Sequence, residues 1–371
     1  MRAPVDRRTF IKATTGAASA SLAAQTAGAD PLTVFERKTQ GYINIRIPTI
    51  VKTTKGSLLA FAEGRVGGDA GKIHTILRRS EDDGRTWSDL QIVWQDDSNT
   101  CGNPAPIVDR DTGTIWLFLT WNLGSDHEGH IMKGTSTFPR KVFLCKSNDD
   151  GKTWSTPVEM PHLRKDDWLW YATGPVSGIQ LTRGSHKGRL ICPANHSRPA
   201  SGSTSYRSHI IYSDDHGKTW ALGGVQDILT NESTVVELDD GSVMQNMRSY
   251  HGKGNRAVAV SRDGGKTFEE RYLDDGLTSP VCQASILRWS WKGDDKGCIL
   301  FSSPTGPDRA GMTIRASYDD GKTWAASTLI HKGGSAYSNL VKLSDKMVGL
   351  LYEKDNCATI EFVTVPISDI K

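Results

Sequence analysis

The stretch "SDDHGKTW", Ser213 to Trp220, is written five times with small changes. The other copies are "SEDDGRTW" from Ser80, "SNDDGKTW" from Ser147, "SRDGGKTF" from Ser261 and "SYDDGKTW" from Ser317. An apolar or alternating run leads into each: "TILRRS", "KVFLCKS", "SHIIYS", "RAVAVS" and "MTIRAS". Such runs carry the two-residue period of a strand. The phrase itself reads as the turn that ends the strand. Its Ser hydroxyl and the Asp two residues on can bond nearby backbone N–H groups. The Gly supplies φ > 0, Thr opens the next strand, and Trp or Phe packs beneath it. The copies start 67, 66, 48 and 56 residues apart. That spacing predicts one four-stranded sheet per repeat: an all-β, six-bladed β-propeller in which one blade lacks the phrase.

At 371 residues the chain can bury a large core, with 37 Gly and 11 Trp to suit many strands and tight turns. Its formal charge of +3 lies in the first 29 residues, where Arg2, Arg7, Arg8 and Lys12 face Asp6 alone. A balanced body without a long basic run argues against nucleic acid as the main partner. Arg7-Arg8 precede Phe10, Ile11 and Lys12, then a mildly apolar run and a small-residue site at Ala27-Gly28-Ala29. Residues 1–29 thus resemble a twin-arginine-type bacterial export signal, leaving one domain over 30–371. No other stretch approaches the roughly 20 apolar residues of a membrane span. The expectation is a monomer exported to the periplasm or beyond the cell.

Six cysteines (Cys101, Cys145, Cys192, Cys282, Cys298, Cys357) are scattered without C-x-x-C spacing, so free thiols are preferred to a disulfide framework. His127 and His130 in "DHEGH" have neither a helix pattern nor further ligands beside them, and no metal or cofactor is expected.

The five phrases resemble the Asp boxes of the sialidase (neuraminidase) family. Five equivalent carboxylates around a ring cannot converge on one substrate, so Asp82, Asp149, Asp215, Asp263 and Asp319 are read as turn-forming. Elements between the boxes also follow the family's order. "YINIRIPTI" holds Arg46-Ile47-Pro48, and "GRVGGDAGKIHTILRRS" holds Arg65 and Asp69. "LTNESTVVELDDGSVMQNMRS" holds Glu232 and Arg248, "MTIRASYDDG" Arg315, "SAYSNL" Tyr337 and "LLYEKD" Glu353.

The resemblance implies an exo-α-sialidase acting on sialylated glycoconjugates. Arg46, Arg248 and Arg315 would hold the substrate carboxylate by charge-assisted hydrogen bonds, with Glu353 orienting Arg46. Tyr337 would be the nucleophile and Glu232 its base. A phenol approaches a carbon bearing a carboxylate without the repulsion another carboxylate would meet. Asp69 would be the acid/base. Glu237 is a decoy for Glu232, whose spacing to Arg248 fits better. Arg65, Asn103, Trp168, Trp170 and Tyr171 are candidate pocket residues. The loop "RPASGSTSYRS" from Arg198 either lines the cleft or hangs free. Two other readings stay open: a non-catalytic glycan-binding propeller and a trans-sialidase.

Overall fold

A computed structural model describes residues 30–371 apart from 201 and 307. The export-signal reading of residues 1–29 lies outside the described residues. The described residues form six four-stranded antiparallel blades. Blade 1 is Asn44–Lys52, Leu58–Arg65, Ile73–Ser80 and Gln91–Trp94, and blade 2 is Thr100–Val108, Ile115–Asn122, Lys141–Ser147 and Val158–Glu159. In blade 3 a broken inner strand, Tyr171–Thr173 and Ile179–Gln180, precedes Leu190–Ser197, Tyr206–Ser213 and Ala221–Ile228. Blade 4 is Thr230–Glu237, Val243–Ser249, Asn255–Ser261 and Glu270–Thr278. Blade 5 is Ser285–Lys292, Lys296–Pro304, Ala310–Ser317 and the first half of Ala326–Lys342. The second half of that long strand opens blade 6, followed by Met347–Lys354 and Thr359–Pro366. Leu32–Glu36 pairs antiparallel with Thr359–Pro366 and closes the ring. Closure by the chain's early strand covers an edge that would otherwise offer unpaired backbone groups.

The core is a ring of six interfaces, each built by two neighbouring blades. Leu59, Phe61 and Leu77 of blade 1, for example, meet Ile115, Leu117 and Leu119 of blade 2. Equivalent clusters join the other pairs, ending with Ile50 and Leu58 of blade 1 against Leu351 and Phe362 of blade 6.

Every Asp box ends a third strand and turns as expected. Ser213 Oγ donates to Asp215 at 2.9 Å and accepts the Gly217 N–H at 2.9 Å, while Asp215 accepts the Thr219 N–H and hydroxyl at 2.8 and 2.7 Å. Hydrogen bonds from Thr86 and Thr153 hold the Asp82 and Asp149 carboxyls down to about 2, so these groups are spent as acceptors. The box glycines do a second job. Gly84, Gly151, Gly217, Gly265 and Gly321 all have positive φ, and each lies against the preceding blade: Phe362, Leu59, Trp116, Ile210 and Met244 respectively. A Cβ on Gly217 would stand 2.2 Å from the Trp116 ring, at φ +82°. Gly217→Ala is therefore expected to destabilise by about 2–4 kcal/mol, combining the left-handed penalty with overpacking. Denaturant unfolding checks this, and a loss under 1 kcal/mol would refute the interlocking role.

Blade 3 contains a buried polar cluster. Trp168 stacks on His196 with centroids 3.5 Å apart, His196 Nδ1 lies 3.0 Å from His209 Nδ1, and His209 Nε2 lies 2.9 Å from the Tyr171 hydroxyl. Burial, with the Lys165 charge, pushes His209 down to about 3, and burial pushes His196 down as well. Both imidazoles are thus neutral in the fold, whereas in the unfolded chain they take up protons below about pH 6.5. Their contribution is fully present above that pH and drains as pH falls toward 3. At pH 5 the cost is about 2 kcal/mol for His209 alone. Melting temperature should drop between pH 7 and pH 5, and His209→Gln should flatten that dependence. An equally steep dependence in the variant would exclude the cluster as its source.

Candidate active site

Strand direction decides which face each residue reaches. Within a blade, first and third strands start at the face where second strands end. Arg65, Arg248 and Glu353 are at or next to the ends of second strands, whereas every Asp box ends a third strand. The boxes therefore occupy the face opposite the site, which settles their scaffold role geometrically.

The innermost strands are distorted at the level of the site. Register breaks fall between Arg46 and Thr49, Gly102 and Ala105, Thr230 and Ser233, and Ser335 and Ser338. Within these bulges lie Ile47, Asn103, Glu232 and Tyr337, with Arg46 at the edge of the first. Ile47 (φ 65°) and Asn103 (φ 51°) adopt left-handed backbone, and each precedes a proline. A β-branched residue there is strained, and bulges are the usual means of re-aiming a side chain toward a site.

Glu353 is the anchor. Completely buried, it accepts Arg46 Nε and Nη2 at 2.6 and 3.1 Å and the backbone N–H groups of Ile47 and Tyr337 at 2.9 and 3.0 Å. Burial alone would raise its carboxyl pKa, but the Arg46 charge and these hydrogen bonds outweigh it and hold the group low. One carboxylate thus fixes both the first arginine and the backbone of the tyrosine.

Tyr337 donates its hydroxyl proton to Glu232 Oε1 at 2.5 Å, and Arg248 Nη1 reaches both Glu232 Oε2 at 2.8 Å and the Tyr337 oxygen at 3.2 Å. Burial and the Glu232 charge push the phenol well up, against the opposing pull of Arg248 and Arg309. The resting phenol is therefore neutral, with its proton shared toward a carboxylate. Asp69 lies across the same cleft on the loop of residues 66–72, its side chain 88% exposed and paired with Arg65. Glu63 holds Arg65 from beneath at 2.9 and 2.6 Å and also accepts the Asn103 N–H at 2.7 Å.

Of the residues expected from sequence, Arg46, Arg65, Asp69, Asn103, Trp170, Glu232, Arg248 and Tyr337 line this one cleft, with Glu353 behind it. Three do not. Arg315 lies two residues before a box serine, near the opposite face, where it bonds the Thr278 carbonyl and hydroxyl at 3.0 Å each. Besides Arg46, Arg65, Arg140 and Arg248, the cleft is lined by Arg309, which begins the same hairpin arm about 20 Å up the strand at 3.3 Å per residue. Its guanidinium lies 5.6 Å from the Tyr337 ring centre and donates to the Val281 carbonyl at 3.0 Å. Trp168 and Tyr171 are buried in the blade 2–blade 3 core. Trp170, in the connection just before strand Tyr171–Thr173, faces the cleft, whereas Trp168 stacks on His196 inside the core. Glu237, the decoy, accepts from Thr182 and Arg183 and so ties blade 4 to blade 3. The cleft also gains Glu63, His127, Glu128, Arg140, Tyr206 and Tyr250, which sequence reasoning did not select. Tyr206 comes from the polar loop that began at Arg198. The available signal was positional: apart from Glu63, which lies within strand Leu58–Arg65, each residue sits in or beside a connection at the cleft face.

Among the described residues all six cysteines are unpaired, and no helix is long and apolar enough to cross a membrane.

A ring of bulged inner strands presents arginines around a buried tyrosine held by carboxylates. Comparison with known proteins gives this propeller a family. Residues 56–351 match the BNR repeat-like domain. The chain is 36% identical to a sialidase of Micromonospora viridifaciens over 85% of its own length and 50% of that protein. It is 34% identical to an exo-alpha-sialidase of Aspergillus fumigatus, over 85% of this chain and 80% of that one. A solved Hadza microbial sialidase, Hz136, superposes with a TM-score of 0.82 at 31% identity, covering 92% of this chain and 69% of that one. The chain belongs to the sialidase family. It spans half the length of the Micromonospora relative.

Proposed function

We propose that the protein is an exo-α-sialidase that releases terminal sialic acids from glycoconjugates with retention of configuration. The observation that carries this reading is the 2.5 Å hydrogen bond from Tyr337 to Glu232, set beside Arg248 and Arg309. Arg46, Arg248 and Arg309 supply charge-assisted donors for the substrate carboxylate. Tyr337 Oη attacks the anomeric carbon as its proton passes to Glu232, while Asp69 protonates the departing glycosidic oxygen. Asp69 then takes a proton from water, whose oxygen attacks the same carbon. The tyrosyl bond breaks, and Glu232 returns the proton to the phenolate. Two displacements at one carbon leave its configuration unchanged.

Binding alone would need the arginines but not a base aligned on a tyrosine, and this favours catalysis over a silent propeller. The basic pair and apolar run within residues 1–29 support export, and the ring closed by its own strand supports a monomer.

The test is release of 4-methylumbelliferone from its α-sialoside by the purified protein, with proton NMR of the first-formed sugar. Turnover with α-anomer appearing first is expected. Folded protein that releases nothing would sink the reading; β-anomer first would sink the double displacement.

A further inference from the structure

One buried cation has no part in the reaction above. Arg256 is the second residue of strand Asn255–Ser261, at the end of blade 4 nearer the cleft. It is 1% exposed, and burial lowers its pKa to about 9, which leaves it charged at neutral pH. Both acceptors it meets are neutral. Nε donates to Asn246 Oδ1 at 2.7 Å and Nη1 to the Cys282 carbonyl at 2.6 Å, while Nη2 finds no acceptor among the described residues. A guanidinium buried against neutral partners is costly, and an apolar side chain of similar volume would fill the same space at less cost.

The two ends of its fork give a reason for the charge. Asn246 lies two residues before Arg248 on strand Val243–Ser249. Cys282 belongs to the connection of residues 279–284 between blades 4 and 5, where three successive residues engage the site. The Val281 carbonyl accepts Arg309 Nη2 at 3.0 Å, and Cys282 packs with Ile47, Ala336 and Tyr337. Gln283 exchanges two hydrogen bonds of 2.9 Å with the backbone of Ser338, next to the tyrosine. No strand ladder fixes this connection, so its path depends on side-chain anchors, and Arg256 grips it from the buried side.

We propose that Arg256 is a positioning residue: its fork fixes the Val281–Cys282 peptide against strand Val243–Ser249, and so sets where Arg309 meets the substrate carboxylate. This deepens the sialidase reading and rests on it. A planar guanidinium presents its donors in a fixed geometry, so bonds to two separate segments define their spacing. A lysine can keep the charge and one bond but not the span.

The experiment is a double-mutant cycle of Arg256→Met with Arg309→Ala, read as kcat and KM on the 4-methylumbelliferyl α-sialoside, with calorimetric binding of free sialic acid alongside. Arg256→Met should lower kcat/KM by about tenfold or more, chiefly by raising KM. In that background Arg309→Ala should cost at least about tenfold less than it costs the wild type. Arg256→Lys should recover only part of the loss. Additive losses would overturn the proposal, because a residue that merely supports the core lowers both backgrounds alike. So would an Arg256→Met enzyme within about threefold of wild type. If Arg256→Met does not fold, Asn246→Ala, which frees one arm of the fork, takes its place in the cycle and is read the same way. A wild type that neither turns over nor binds would remove the sialidase reading and this proposal with it. Turnover with additive losses would remove the proposal alone.

Discussion

Tyr337→Phe is expected to lower kcat by about three orders of magnitude, or about 4 kcal/mol, while leaving affinity for a sialic acid-like inhibitor within a few-fold. The substitution removes one oxygen. The ring still packs against Ile47, Cys282 and Ala336. The Glu232–Arg248 ion pair at 2.8 Å survives, as does the Glu353 grip on Arg46. What disappears is the atom proposed to attack and the proton that Glu232 would receive. Because the proposed contacts of the arginines are to a carboxylate that sugar and inhibitor share, binding and turnover should separate. Parallel loss of both would mean that the hydroxyl organises the pocket rather than reacting. Activity within tenfold of wild type would remove Tyr337 as nucleophile.

Arg309→Ala and Arg315→Ala form the second decisive pair. Arg309 lines the cleft beside Tyr337, and losing it removes one of the three cations proposed to face the substrate carboxylate. A charge-assisted, partly desolvated contact of this kind is worth about 2–4 kcal/mol, so kcat/KM should fall by about 10²-fold or more, with KM rising. Among the described residues Arg315 hydrogen-bonds only Thr278, half-exposed and near the other face. Its replacement should leave kcat/KM within about threefold, since isolated surface contacts contribute little. The opposite ranking would mean that the strand's direction does not decide which arginine serves the site.

That pair also shows what local sequence cannot supply. "MTIRASYDDG" offers an arginine beside the fifth Asp box, and family order makes it attractive. The box that makes the stretch recognisable is also the reason Arg315 is misplaced, because boxes terminate third strands at the far face. Arg309 stands in a loop with no motif around it and reaches the cleft only because the strand after it runs away from the site. Trp168, Trp170 and Tyr171 repeat the lesson at smaller scale. All three are aromatic within four residues, yet the path of the irregular connection into strand Tyr171–Thr173 sends one into the cleft and two into a core shared by blades 2 and 3.

By itself the sequence determined the repeat, the turn chemistry, the number of blades and the candidates Arg46, Asp69, Glu232, Arg248, Tyr337 and Glu353. These are legible because a turn is local: Ser, Asp, Gly and Thr satisfy one another within eight residues, and a strand's period is written in its own side chains. Only the tertiary structure decided that Glu353 fixes Arg46 and Tyr337 together, that Glu232 meets Tyr337 across 105 residues, and that Arg309 and Arg140 face the cleft. Those relations depend on closing a ring of six blades and on bulges that re-aim four inner strands. Both come from packing between segments far apart in the chain, where no short stretch records its partner.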